Sequence, residues 1–128
     1  MPRNPFSHID LRIRHMDQAL SFYEKILPEL GFKLEFHSDK WKVFVARGDL
    51  PGVPYFALTE QEDHQPDSSR VAFWVESNAE VDRMAEIVTA AGGSITDGPA
   101  LFPYSDTYYA VYFTDLSGNR LEILHRVT

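Results

Sequence analysis

Cysteine is absent from the 128 residues. Its absence excludes disulfides, thiolate metal ligands and a cysteine nucleophile together. A basic stripe is missing too. With a formal net charge of −7 at pH 7 the chain has little to neutralise phosphates, so nucleic acid is not an expected partner. No apolar run approaches bilayer-spanning length, and nothing near the N-terminus reads as a secretion signal. No low-complexity tract interrupts the pattern. These absences lead to the expectation of a soluble, cytoplasmic protein with no membrane partner. What the chain has in quantity is rings: 9 Phe, 6 Tyr and 2 Trp in a sequence that is 44% hydrophobic. That composition is globular, and the length suits one domain with a substantial core.

The stretch from Tyr108 to Arg126 reads as two apolar runs around Asp115-Leu116-Ser117-Gly118-Asn119. This is the pattern of a β-hairpin, with Gly118 available for a positive-φ position. Glu122 sits between Leu121 and Ile123, where a carboxylate must be paired, bound to a metal or turned to a solvated cavity. It is the first candidate site residue.

From the N-terminus, 6–14 alternates, with Ile9, Leu11 and Ile13 on one side and His8, Asp10, Arg12 and Arg14 on the other. A helix is expected over 17–30, capped by Asp17, striped by Phe22, Tyr23, Ile26 and Leu27, and ended by Pro28 and Gly31. Strands are expected over 32–37, 41–47 and 55–59, with a loop at 48–54. The polar segment 61–69 reads as a linker. Beyond it the order recurs: an alternating strand from Arg70, a Ser77/Glu80 capping box, a helix over 79–91 ending at Gly92-Gly93, a short strand from Ile95, a loop-prone 98–104, and the hairpin.

An offset of 62 takes His8 to Arg70, Phe22 to Met84 and Gly31 to Gly93, and an offset of 65 takes Ala57 to Glu122. Such internal duplication decides the fold class. The expectation is α+β: a single domain over 1–128 made of two βαβββ modules, about 6–60 and 70–126, joined by the 61–69 linker.

The segments SHIDLRIRHMDQALSFYEKIL at 7–27, RVAFWVES at 70–77 and DLSGNRLEIL at 115–124, in this order on a duplicated frame, resemble the vicinal oxygen chelate superfamily. That is the glyoxalase, bleomycin-resistance and extradiol-dioxygenase group. The resemblance implies an open, cup-shaped mixed sheet with helices outside, a small molecule or divalent metal in the cup, and frequent pairing as homodimers. It also places metal ligands on the first and last strand of each module, here His8, Ala57, Arg70 and Glu122. Only His8 and Glu122 can ligate. Ala57 has no donor atom, and Arg70 is a permanent cation.

Two function classes follow. One is a metal-free protein binding a small molecule in an aromatic-lined cup. There Arg70 and Glu122 form an ion pair near the former metal position, Asp10, Arg12, Tyr55, Trp74, Tyr104 and Tyr108 line the ligand, and no cofactor is needed. The other is a glyoxalase-like lyase, isomerase or dioxygenase with Zn, Ni, Mn or Fe held by His8 and Glu122. Chemistry without a metal would run through His8 as base and Arg70 as anion holder, beside Glu122. Plainer roles stand next to these: His8 as a structural histidine, Glu122–Arg70 as a structural pair, and the aromatics as core or dimer interface. Positions 57 and 70 lean towards the metal-free class.

Overall fold

The computed structural model describes residues 4–48 and 53–127. Among these the element order is β1 (His8–Ile13), α1 (Met16–Ile26), a 3-10 turn (Pro28–Leu30), β2 (Phe32–His37), β3 (Trp41–Ala46), β4 (Tyr55–Glu60), β5 (Arg70–Trp74), α2 (Asn78–Ala90), β6 (Ser94–Leu101), β7 (Tyr109–Thr114) and β8 (Arg120–His125). The fold is α+β and consists of two βαβββ modules. The chain divides between His64 and Gln65. The loop expected at 48–54 lies partly outside the described residues.

Each module is an open four-stranded mixed sheet, ordered β1-β4-β3-β2 in the first and β5-β8-β7-β6 in the second. The edge pairs β1·β4 and β5·β8 are parallel and the others antiparallel. Register exposes the duplication directly. Asp10 lies beside Ala57, and Ala72 beside Glu122; His8 lies beside Tyr55, and Arg70 beside Arg120. These are the matches that offsets of 62 and 65 require.

Strand alternation gives each sheet two chemically different faces. In the first module Ile13, Phe44, Phe56 and Leu58 are buried with Phe22, Tyr23, Ile26 and Leu27. The Tyr23 and Phe56 rings meet at 5.7 Å. In the second, Val81, Met84, Ala85 and Val88 of α2 are buried with Val111, Phe113, Leu121 and Ile123, and α2 packs on β6, β7 and β8. Burying each of the larger aliphatic and Phe side chains among these contributes about 1.5–3 kcal/mol. The opposite face of each sheet carries no helix from its own module, and it holds the candidate site residues.

Three local expectations are corrected. The start of α1 is not capped by Asp17: the N-cap residue is His15, without a side-chain bond, and Glu60 Oε2 on β4 accepts the Met16 amide at 2.9 Å. A partner distant in sequence supplies the acceptor that a free helix start requires. The first helix also ends earlier, at Ile26, with Pro28 opening the 3-10 turn and Gly31 leaving it at φ 99°. Pro28 lacks the amide hydrogen that an α-helix would use. Finally, 98–101 is not loop. β6 runs through a cis Gly98–Pro99 peptide and absorbs the irregularity in register shifts between Ile95 and Asp97 and between Asp97 and Ala100. The second helix starts as expected, with Ser77 Oγ accepting from the Glu80 amide at 3.1 Å.

Candidate functional site

In the first module the helix-free face carries His8, Asp10 and Arg12 from β1 beside Tyr55, Ala57 and Thr59 from β4. The His8 imidazole stacks on the Tyr55 ring, centroids 4.4 Å apart and 3° from parallel, and its Nδ1 lies 2.9 Å from Ser7 Oγ. Asp10 accepts from Thr59 Oγ1 at 2.6 Å and pairs with Arg12 at 3.0 Å. Ala57 is buried and offers only a methyl group. Four of the expected residues therefore share this face in two contacting pairs, and all four retain exposure to solvent.

In the second module Arg70, Ala72 and Trp74 lie on the helix-free face with Arg120, Glu122 and Leu124, next to Tyr112 and Ala110 of β7. Glu122 is only 5% exposed, deep enough that its acceptors need partners. The Tyr108 hydroxyl donates to Glu122 Oε2. The anticipated Arg70–Glu122 ion pair does not form. Register sets Glu122 beside Ala72 and places Arg70 two residues away beside Arg120. The Arg70 guanidinium instead lies over the Tyr112 ring, 4.7 Å from its centroid, an arrangement favoured by the ring quadrupole.

The floor of this face is a small apolar cluster of Ala110, Tyr112 and Leu124, with Phe102 and Tyr108 packed against it. Phe102 meets Tyr112 edge-on at 5.0 Å, and Tyr104 meets Tyr108 edge-on at 5.1 Å. A backbone bond from the Phe102 amide to the Tyr108 carbonyl at 2.9 Å closes the connecting loop. Beside the cluster opens a cleft of about 500 Å³, lined by Ala72, Trp74, Tyr104, Tyr108, Leu124 and Arg126 among others. Its volume is in the range of small-molecule sites.

The phenols on this face are poor acids. Burial pushes Tyr108 up to about 12, and its hydrogen bond to Glu122 adds to the effect. Burial also raises Tyr112, followed by the nearby Glu122 charge. Both tyrosines therefore stay protonated at neutral pH and present hydroxyl donors.

Arg126 was not among the residues singled out by sequence, yet its guanidinium lies over the Trp74 ring at 4.5 Å. The signal was available: 120, 122, 124 and 126 continue one alternation along β8. Tyr112, opposite Glu122 in register, carries the same signal.

A family model for the Glyoxalase/Bleomycin resistance protein/Dioxygenase superfamily matches residues 6–123. The chain belongs to that superfamily. Solved structures with the same fold include a glyoxalase/bleomycin resistance protein from Albidiferax ferrireducens T118, at 22% identity and TM-score 0.77, covering 97% of this chain and 100% of that one. A glyoxalase/bleomycin resistance protein/dioxygenase family enzyme from Burkholderia phytofirmans PsJN matches at 17% identity and TM-score 0.75, over 94% of this chain and 98% of that one. The fosfomycin resistance protein FosX of Listeria monocytogenes, as a mutant complexed with Mn(II) and 1S,2S-dihydroxypropylphosphonic acid, matches at 19% identity and TM-score 0.72, over 96% and 90%. No curated protein matches the chain.

Superfamily membership brings a divalent metal into question, and the side chains at the corresponding positions do not fit one. Ala57 and Arg70 contribute no ligand atom, which leaves only His8 and Glu122, and Oε2 of Glu122 already accepts the Tyr108 hydroxyl. An open catalytic centre uses three protein ligands. Among the described residues no group of three or more His, Cys, Asp or Glu side chains is gathered that could hold a metal ion.

Proposed function

We propose that this single glyoxalase-like domain binds a small molecule on the helix-free, aromatic face of its second module and that its metal site is degenerate. The observation that carries the reading is the fate of Glu122. The carboxylate at the superfamily's ligand position accepts a tyrosine hydroxyl, and the residue at the neighbouring ligand position is a guanidinium resting on a ring. A fixed cation repels a divalent ion, while rings bearing polar tips suit an amphipathic ligand.

Within this reading Trp74, Tyr104 and Tyr108 form the apolar walls, and Glu122 holds the Tyr108 hydroxyl in place. In the first module His8 and Tyr55 offer a stacked pair and Asp10 and Arg12 a polar rim. The protein works as a homodimer.

Elemental analysis of the protein purified without chelator tests the reading. The expected result is Zn, Ni, Mn and Fe well below one equivalent per chain. One tightly held equivalent, lost together with ligand binding on Glu122→Gln, would overturn it and restore a metal-dependent enzyme with His8 and Glu122 as ligands.

A further inference from the structure

The cleft in the second module has a charge property that its aromatic lining conceals. Arg126 is the only charged residue among the described residues that line it. Its guanidinium carbon lies over the Trp74 ring, 4.5 Å from the centroid, and has no carboxylate partner among the described residues. Glu76 and Asp106, the acidic residues nearest the lining in sequence, make no ion pair with it, and Glu122 is engaged by Tyr108. Stacking does not consume a guanidinium. A guanidinium held over a ring by the quadrupole still has N–H donors to offer to other groups.

The backbone next to Arg126 is also tied down. Thr107 Oγ1 accepts from the Val127 amide at 2.9 Å and donates to the Val127 carbonyl at 3.3 Å. These bonds tie the end of the chain to the loop that carries Tyr104 and Tyr108. The cation, over Trp74, lies in the lining of a pocket whose other walls include Tyr104, Tyr108 and Leu124. In a protein of net charge −7 this cleft presents a positive group beside three rings, with no carboxylate paired to it among the described residues.

We infer that this cleft takes a flat aromatic ligand carrying a carboxylate, with Arg126 holding the anion and Trp74, Tyr104 and Tyr108 packing the ring. This rests on the reading that the helix-free face of the second module binds a small molecule. A planar guanidinium recognises a carboxylate through two parallel bonds, and a neutral amide of the same shape cannot accept both.

The test is titration of the full-length protein with 2-naphthoate and with its neutral isostere 2-naphthamide, by calorimetry and by tryptophan emission. The acid is expected to bind about tenfold more tightly than the amide, the scale of one charge-assisted contact. The preference should weaken with added salt. Arg126→Gln should bring the two probes to equal affinity, and Arg126→Lys should restore part of the preference. Equal affinities in the unmodified protein, or a preference unchanged in Arg126→Gln, would overturn the carboxylate inference and leave the small-molecule reading standing. If neither probe binds, both are overturned.

Discussion

At the scale of single residues, the Tyr108–Glu122 contact outweighs the arginine expected to neutralise Glu122. Glu122 is buried and its hydroxyl donor is Tyr108, so Tyr108→Phe removes a partner from a buried acceptor and should destabilise the protein by about 1–3 kcal/mol. Arg70 is exposed and rests on a ring. Arg70→Ala should therefore cost under about 1 kcal/mol. Denaturant unfolding of the two variants compares them, and the reverse order would return Arg70 to the role of counter-ion. The same phenol predicts an alkaline limit. Tyr108 is raised from 10.0 to about 12 in the folded protein, so the folded state binds more protons between those values. The stability it contributes is complete below pH 10 and is lost as pH rises through about 12. Unfolding followed across that window in wild type and Tyr108→Phe should show the alkaline loss reduced in the variant. Glu122 was legible as an anomaly because a carboxylate between Leu121 and Ile123 has few explanations. Its partner was not. Alternation places Arg70 on the correct face, but only register reveals that Ala72 stands beside Glu122.

At the scale of elements, the repeated strand-helix-strand order was legible because apolar residues recur at spacings of two and of three or four, the two periods that backbone geometry imposes. Helix ends were less so, since the acceptor at the start of α1 arrives from Glu60 on a strand far along the chain. β6 was the main miss. Glycine and proline both argue locally for a break, yet pairing with β7 carries the strand past Gly98 and Pro99. Gly98 has φ +78°, and a Cβ there would run into the Ala110 carbonyl oxygen on that neighbour. Gly31 has φ +99° with nothing within 4 Å of an added Cβ. Gly31→Ala should thus cost only the left-handed backbone, about 1 kcal/mol. Gly98→Ala should cost at least about 2 kcal/mol more, because backbone must shift as well. Thermal unfolding of the pair measures the difference, and equal costs would show that β6 yields easily at this point.

At the scale of the whole molecule, the duplication made the fold class legible, and residue matches drawn by offset reappear as strand register. Association is a property of this scale. Phe36, Trp74, Leu101 and Tyr104 are all at least half exposed, and large apolar side chains left uncovered are what a partner surface would cover. Sedimentation at micromolar concentration is expected to show a dimer, and a monomer alone would contradict it. The sheet edges constrain how strands add. β2 and β6, the last strands of their sheets, carry register shifts, and β2 adds a Lys33–Glu35 pair at 3.7 Å. β1 and β5, at the other edges, pair without a shift. Both edges of the first sheet carry an ion pair, Asp10–Arg12 on β1 as well as Lys33–Glu35 on β2, so it is the irregular pairing that resists further strands and the regular one that accepts them. A strand that joins either sheet is therefore expected to begin on the β1 or β5 side, and the irregular β2 or β6 side to end the ladder.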